Sequence, residues 1–566
     1  MDEAPLDVVI VGAGISGLLM LRRLKTLGFA AKVLDAAADI GGTWQQNRYP
    51  GCRCDVESRD YQYGDAALAA EWSWSERYPS QPEILRYLHF VSDKYALRSD
   101  VVLNARVVAA TYDDATWTVA VADDKTYRAR FLVMATGCLS VPKKRDGVLA
   151  EVEQHFAGEV LETTDWPADG EARCSGKRVG VVGTGSSGVQ CIPEIAKLAS
   201  HLAVFQRTPA YCAPALNRPL TSEEIADHKA HAAERFEEAK ATAFGLIVPH
   251  PGTTSALDVD AEERGAVYER CWNEGLLVSA LTAYTDIIVN ADANDTIADF
   301  SRMKIHSIVR DPETAADLTP TYAIGTKRMC LDTNYYDTFN LDHVRLVNLR
   351  RTPIRRFVDT GVELAVPVSD DVERKEDHAA AVSTTPATPR KEEDEAIERV
   401  DLDVIVLATG FDAMTGALLG VDVQGKDGRT LREVWKDGPV TYLGLTVAGF
   451  PNLFTITGPL SPSVLSNMTR SIEQHVDWIA ACLDHMRANR LATIDAKPQA
   501  QEEWVAHAAA VANMTLFSKN DSWYVGANVP GKPRTVMPYI GGLLAYKAAC
   551  DKVAEAGYDT FSFTSA

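Results

Sequence analysis

The 566-residue sequence predicts an α/β protein with two Rossmann-like dinucleotide-binding domains and a helical insertion. Three observations predict it. Two apolar strands run into glycine-rich turns, Gly12-Ala13-Gly14-Ile15-Ser16-Gly17 after Val8 to Val11 and Gly183-Thr184-Gly185-Ser186-Ser187-Gly188 after Arg178 to Val182. A third apolar strand, Val404 to Leu407, ends in Ala408-Thr409-Gly410. Between about Tyr211 and Pro320 the parallel-strand signal gives way to Glu- and Ala-rich sequence such as Ser222 to Lys240, which has helical character. The length suggests roughly three or four domains, and 46% hydrophobic residues is a globular composition.

In chain order, the first strand and turn come at once. After Gly17, Leu18, Leu19, Leu21, Leu24 and Leu27 recur at helical spacing, so the glycines open a helix and the unit reads as the start of a βαβ fold. Such a turn brings backbone N–H groups and a helix N-terminus to a pyrophosphate. The residue ending the second strand, about 20 positions on, then selects the nucleotide. Here it is Asp35, whose carboxylate accepts from ribose hydroxyls and repels a 2′-phosphate, so the first site prefers FAD or NAD. In the second unit the strand Leu202 to Gln206 ends in Arg207-Thr208, which suits a 2′-phosphate and so NADP(H); the competing reading of Arg207 is an exposed strand-end cation. Two sites of opposite 2′ preference point to electron transfer from NADPH to a flavin. Ala135-Thr136-Gly137 and Ala408-Thr409-Gly410 each mark a return of the chain to a nucleotide domain.

Other stretches bound the setting. Ser369 to Arg399 holds ten acids and five bases among Ser, Thr and Pro, the composition of a solvated surface loop. The net charge of −21 disfavours nucleic acid and anionic membrane as partners. The short acidic N-terminus leads straight into a strand and leaves no room for a presequence, and the apolar runs fall short of a bilayer span. The ten cysteines are scattered, only Cys52 and Cys54 lying close, with no CxxC pair; reduced thiols, a cytoplasmic location and no metal site are expected.

Further motifs carry a resemblance: Gly41-Gly42-Thr43-Trp44; Asn47-Arg48-Tyr49-Pro50-Gly51-x-Arg53-Cys54-Asp55; Phe156-x-Gly158 through Trp166-Pro167; Lys327-Arg328; Tyr335-Tyr336-x-x-Phe339-Asn340; Gly458-Pro459 through Ser466-Asn467-Met468; and Trp523-Tyr524-x-Gly526-Ala527-Asn528. In this order and over nearly the whole chain, they resemble the class B flavoprotein monooxygenases, and within them the Baeyer–Villiger enzymes. The resemblance implies a FAD domain from 1–145 and 400–566, the latter including a C-terminal segment. It implies a linker and NADPH domain from 146–215, continued in 323–399 with the acidic loop 369–399, and a helical insertion at 216–322. It implies FAD contacts from Gly12, Gly14, Gly17, Asp35, Thr43, Trp44, Asp55, Tyr61, Val107 and Met468. NADP contacts are implied for Arg53, Gly183, Thr184, Gly185, Ser186, Ser187, Gly188, Gln190, Arg207, Thr208, Lys327, Arg328 and Trp523.

The implied reaction inserts one oxygen of O2 beside the carbonyl of a ketone, giving an ester or lactone. NADPH reduces FAD, O2 adds to the reduced ring, and the resulting peroxide must stay deprotonated to attack the carbonyl. Arg328 is the candidate for stabilising that anion, because a fixed cation acts best where charge develops in a water-poor site. Asp55 would hold the guanidinium in place. Lys327 would join Arg207 and Thr208 on the 2′-phosphate. Trp523 would pack on the nicotinamide-side ribose, keeping NADP+ in place and water out. The bland alternatives are a turn-capping Asp55, an Arg328 that binds only phosphate, and a Trp523 that is simply core.

The sequence also departs from the family. Glu162 stands where the fingerprint around Phe156 carries a His, so a titrating imidazole is replaced by a carboxylate in the interdomain linker. Gln45-Gln46 replace aromatics, and Cys52 replaces Ala. Three rivals are weighed. An amine- or thioether-oxygenating relative would not need the Arg. A disulfide reductase would need a cysteine pair that Cys52-x-Cys54 matches poorly. A non-catalytic flavin-binding sensor would not need the full set of motifs. A monomer and a dimer are both open.

Overall fold

The computed structural model describes residues 6–367 and 395–565. Two parallel-cored sheets carry the architecture. In the first, the strand Leu6–Val11 lies between parallel neighbours Ala31–Leu34 and Thr126–Met134, Val8 pairing with Ala31 on one side and Phe131 on the other. Val8, Val9 and Ile10 are wholly buried, which is why this strand is apolar on both faces rather than alternating. The eight-stranded sheet runs in the order Asp422–Gln424, Val107–Asp113, Thr116–Val121, Thr126–Met134, Leu6–Val11, Ala31–Leu34, Val101–Val102, and Leu453–Thr455 also pairs with Thr126–Met134. Segments from both ends of the chain therefore share one sheet. The helix Ile15–Thr26 buries Leu18, Leu21 and Leu24, and packs on the long helix Met468–Ala488.

The second sheet has five parallel strands in the order Val344–Asn348, His201–Gln206, Arg178–Val182, Val404–Leu407, Glu159–Glu162. Val404–Leu407 corrects the sequence reading, which grouped residues from 400 onward with the first nucleotide domain. An all-apolar four-residue strand fits the middle of either sheet, and nothing in it specifies which. Only beyond Gly410 does the chain return to the first sheet, through Asp422–Gln424.

The insertion is helical as expected, with Ser222–Lys240, Ala261–Glu274 and Ala291–Ile308 as its main helices. Thr221 and Glu224 form a reciprocal capping box at the first, and the Asp260 carboxylate caps the second. The short parallel pair Cys212–Pro214 and Cys330–Asp332 joins its two ends.

Residues 369–394 of the acidic segment lie outside the described residues. Its last five residues, read as loop, are strand instead: Glu395–Asp401 pairs antiparallel with Gly361–Pro367. Charge density misled here, because a strand with an exposed face accepts charged side chains at alternate positions. All ten cysteines are free and buried. Among the described residues no helix is long and apolar enough to cross a membrane, and no His, Cys, Asp and Glu group could hold a metal ion.

Candidate active site

The two glycine-rich turns are built alike. A Cβ on Gly12 would meet the Ala135 carbonyl oxygen at 2.5 Å, and one on Gly183 would meet the Ala408 carbonyl oxygen at 2.4 Å. Both glycines also sit at positive φ, +108° and +113°. The two Ala-Thr-Gly segments thus do the same work, each passing beneath the first glycine of a nucleotide turn. Gly17 and Gly188 repeat the parallel one turn into each helix, where a Cβ would collide with the carbonyl of the first glycine.

Around the first turn, the Asp35 carboxylate accepts from the Ala13 and Ala37 backbone N–H groups, so it lies against the glycine loop. Gly41 N–H donates to the Ala13 carbonyl, docking the Gly41-Gly42-Thr43-Trp44 turn on that loop. Trp44 is buried and donates from its indole to the Tyr61 hydroxyl at 3.1 Å. Val107 opens a neighbouring strand two residues after Ala105, whose N–H reaches the Asp35 carbonyl. Met468 begins the long helix capped by Asn467. Asp35, Thr43, Trp44 and Tyr61 of the predicted flavin residues therefore gather around the first glycine loop, and the glycine cradle with its strand-end carboxylate fits an adenine dinucleotide with a free ribose.

Around the second turn, Gly185 and Ser186 are exposed at the N-terminus of the helix Ser186–Leu198, which has no side-chain cap. A Cβ at Gly185 would have nothing within 4 Å, so the loop faces open space there. Uncapped N–H groups beside open space are what a pyrophosphate requires. The Thr184 hydroxyl donates to the Thr208 carbonyl at 3.1 Å, tying the turn to the strand end that carries Arg207. Burial and then the nearby charges of Arg350 and Arg207 depress the Lys327 ammonium below the usual lysine range. Arg350 also reaches the Thr208 hydroxyl at 3.5 Å. Three cations and a hydroxyl thus converge, and they fit a 2′-phosphate. Sequence reasoning missed Arg350. Its signal was its place just after the strand Val344–Asn348, which lies beside His201–Gln206, but nothing local reveals that neighbour.

Gln190 joins the two nucleotide regions. Its side chain accepts from the Tyr49 hydroxyl at 2.8 Å and donates to the Arg53 carbonyl at 3.0 Å. A Cβ on Gly51 would lie 2.3 Å from the Gln190 carbonyl oxygen, so this glycine permits the close approach. Arg53 was expected at the NADP site. Its backbone meets Gln190, but its guanidinium is turned to Glu76 at 3.3 Å and to the Tyr78 carbonyl at 3.2 Å, because an acid and a carbonyl lie within its reach. Trp523 is half-buried and packs against Tyr524 with ring centroids 4.3 Å apart.

Arg328 is held by Asp55. Nε and Nη2 donate to one carboxylate oxygen at 2.9 and 2.6 Å, and Nη1 donates to the Val464 carbonyl. Burial opposes the charge on Arg328, but Asp55, Tyr524 and Cys54 raise its pKa above the ordinary arginine value. The Tyr524 phenol is pushed up to about 12 by burial despite the pull of Arg328, so it stays protonated beside the cation. Arg328, Asp55, Lys327 and Tyr524 line one cavity of about 580 Å³, whose walls include Phe244, Leu246, Ile247, Leu277, Leu281 and Ile288. A fixed, permanently charged guanidinium in an apolar cavity can stabilise negative charge arising on a bound molecule. Tyr524 and the Val464 carbonyl are further neighbours that the sequence did not single out.

Glu162 turns out to be ion-paired. It receives Arg145 Nε at 2.8 Å, and Arg145 also reaches Glu153 at 3.0 Å. Cys52 and Cys54 form no disulfide, and burial raises the pKa of both thiols, which leaves no reactive dithiol.

The profile of a family described as pyridine nucleotide-disulphide oxidoreductase matches residues 9–243. The chain is 38% identical to an acetone monooxygenase (methyl acetate-forming) of Gordonia sp. (strain TY-5), covering all of both chains. It is 36% identical to a Baeyer-Villiger monooxygenase of Pseudooceanicola batsensis, over 98% of this chain and 96% of that one. It is also 36% identical to a phenazine N-monooxygenase of Lysobacter antibioticus, over 99% and 97%. A solved structure of oxidized steroid monooxygenase bound to NADP matches with a TM-score of 0.89 and 42% identity over the whole of both chains.

Proposed function

We infer the activity from one premise: the chain belongs to the Baeyer–Villiger monooxygenase family of flavoproteins. We propose that it binds FAD and NADPH and uses O2 to insert one oxygen atom beside the carbonyl of a ketone, releasing an ester or lactone. The observation that carries the reading is the Arg328–Asp55 pair, fixed by two hydrogen bonds in the wall of an otherwise largely apolar cavity.

The first sheet, drawn from 6–134 and 422–455, is the proposed flavin domain; the second, drawn from 159–206, 344–348 and 404–407, is the proposed NADPH domain. When bound, the nicotinamide supplies hydride and the flavin supplies activated oxygen. Gly12, Gly14 and Asp35 would hold the FAD pyrophosphate and ribose, with Thr43, Trp44, Tyr61, Val107 and Met468 around it. Gly185 and the N–H groups of Ser186 and Ser187 would hold the NADPH pyrophosphate, with Arg207, Thr208, Lys327 and Arg350 on its 2′-phosphate.

Arg328 then does two things. It keeps a permanent positive charge where negative charge develops on the reacting oxygens, and it needs no reorganisation because Asp55 and the Val464 carbonyl already hold it. The apolar walls exclude water and strengthen that interaction. Trp523 would pack against the nicotinamide side. Ten reduced, buried thiols support a cytoplasmic setting, and a site built within one chain suits a monomer or a dimer alike.

The test is product mass spectrometry with 18O2 and NADPH on a panel of ketones, tertiary amines and aromatic heterocyclic nitrogens. One labelled oxygen in an ester or lactone is the expected result. Label on nitrogen and none on ketones would favour the second reading, which the similarity to the phenazine N-monooxygenase brings in.

A further inference from the structure

Four of the residues that line the cavity of Arg328 and Asp55 carry a hydroxyl: Tyr78, Ser466, Tyr524 and Tyr539. Three of these hydroxyls are taken up by neighbours. Tyr78 donates to the Gly275 carbonyl at 2.5 Å, Ser466 meets the Ser463 carbonyl at 3.1 Å and the Ser471 hydroxyl at 2.6 Å, and Tyr539 pairs with His507 Nε2 at 3.0 Å. Tyr524 is different. Among the described residues its hydroxyl donates to no protein acceptor, and it is not one of the buried side-chain atoms sealed without a partner. What it meets is Arg328, through a side-chain hydrogen bond to the guanidinium. An arginine can only donate, so the phenol oxygen accepts there and its own proton stays free.

The chain fixes that phenol in place. Its ring packs against Trp523 and Phe517, with centroids 4.3 and 5.8 Å away, and its backbone carbonyl accepts from Met537 N–H at 2.9 Å. The tight turn that follows closes at Gly526, whose φ is +74° and whose N–H returns to the Trp523 carbonyl at 3.2 Å. The hydroxyl end of the ring therefore lies at the guanidinium. Arg328 has five N–H groups to place. Asp55 takes two, the Val464 carbonyl one and Tyr524 one, which leaves one over, and the side chain keeps 24% of its surface accessible. One N–H of a permanent cation and one phenolic O–H thus stand side by side in the cavity wall, both uncommitted.

We propose that Tyr524 is a second catalytic donor: its O–H binds the carbonyl oxygen of the ketone beside Arg328 and stabilises the charge that this oxygen gains. The proposal rests on the Baeyer–Villiger reading above. When an oxygen nucleophile adds to the carbonyl carbon, a C–O bond forms and the carbonyl π pair moves onto its oxygen, which becomes an alkoxide. On collapse that pair re-forms the C=O bond, one substituent migrates from carbon to the added oxygen, and the O–O bond of the nucleophile breaks. The phenol keeps its proton throughout. Its hydrogen bond strengthens as the alkoxide forms and relaxes as the ester appears, which is what favours the transition state over the bound ketone.

The experiment compares FAD-loaded wild type with Tyr524→Phe, which removes the hydroxyl and keeps the ring in its packing. The ketone is whichever of acetone, cyclohexanone and acetophenone gives the most ester with the wild type. Difference infrared spectroscopy of that ketone, bound and labelled with 13C at its carbonyl, is the first readout. The C=O band should lie at lower frequency in the wild type than in Tyr524→Phe, because a donor on the oxygen weakens the bond. The second readout is ester formation at saturating ketone, which should fall about 10²-fold in the variant, with the loss confined to the ketone step: NADPH consumption without ketone should match the wild type. A carbonyl band at the same position in both proteins, or ester formation at the wild-type rate, overturns the proposal. So does a rise in ketone-free NADPH consumption, the sign of a Tyr524 that acts only by holding Arg328. A wild type that makes no ester from any of the three ketones instead overturns the Baeyer–Villiger reading, and this proposal with it. Circular dichroism of the variant checks that the loss of ester is not a loss of fold.

Discussion

Replacing Arg350 by alanine tests the nucleotide assignment at a residue that no motif pointed to. Arg350 is exposed, contacts the Thr208 hydroxyl, and with Arg207 lowers the pKa of the Lys327 ammonium. A hydrogen bond to a charged group contributes about 1.5–3 kcal/mol, and exposure favours the lower part of that range. A factor of ten corresponds to about 1.4 kcal/mol, so KM for NADPH should rise roughly tenfold in Arg350→Ala. NADH lacks the 2′-phosphate, so its KM should move less than about threefold on the same scale. Steady-state kinetics with both coenzymes, at one ionic strength, gives both numbers. The melting temperature of the free protein should hold or rise, because the substitution relieves repulsion among like charges. Equal losses with NADPH and NADH, or no loss with either, would refute the 2′-phosphate assignment of this cluster.

The other predictions follow from the same geometry. Gly185→Ala places its Cβ in open space, so thermal stability should change little, while KM should rise for NADPH and NADH alike; Gly183→Ala meets the Ala408 carbonyl and should lower the melting temperature clearly. Because Lys327 titrates below the usual lysine range in the free protein, its lost charge should weaken NADPH binding as pH rises through that lowered value, earlier than a lysine near 10.5 would; KM for NADPH measured from pH 7 to 10 should rise in the wild type and stay flatter in Lys327→Arg. Burial lowers His475 to about 3, and its Nδ1 accepts from the Thr457 N–H. The folded protein keeps it neutral while the unfolded chain protonates near 6.5, so stability present above that pH is lost as pH falls towards the folded value. Thermal melts from pH 7 to 4 should show a decline that is shallower in His475→Asn.

Much of the fold was legible because the nucleotide turns impose local constraints. A glycine whose added Cβ would sit 2.4 or 2.5 Å from a neighbouring carbonyl oxygen admits no substitute, and it leaves a mark in the sequence. The places of Asp35 and Arg207 were legible for a similar reason, since a strand end beside such a turn lies against its loop. Val404–Leu407 was not, because an apolar strand gives no address among sheets. Neither was Glu395–Arg399, where partnering with Gly361–Pro367 outweighed charge. In the site, Asp55 and Arg328 lie 273 positions apart and were joined only by resemblance; spacing alone could not have paired them. Arg350 and Tyr524 reach the site through the packing of distant segments. The guanidinium of Arg53 contacts Glu76 and the Tyr78 carbonyl, partners that lie 23 and 25 positions away and that its motif did not reveal. The Glu162 substitution, which in isolation suggested a lost titrating group, is met by Arg145.

The central claim is that the cation of Arg328, set by Asp55, serves oxygen transfer and not hydride transfer. The direct measurement follows Arg328→Ala through both halves of the cycle: anaerobic bleaching of bound FAD by NADPH, then ester yield and hydrogen peroxide release in air. Removing one preorganised donor of this kind costs on the order of 10²–10³ in rate. Bleaching should persist, ester formation should fall by at least that factor, and NADPH should be consumed with stoichiometric hydrogen peroxide. An ester yield per NADPH equal to that of the wild type would contradict the account.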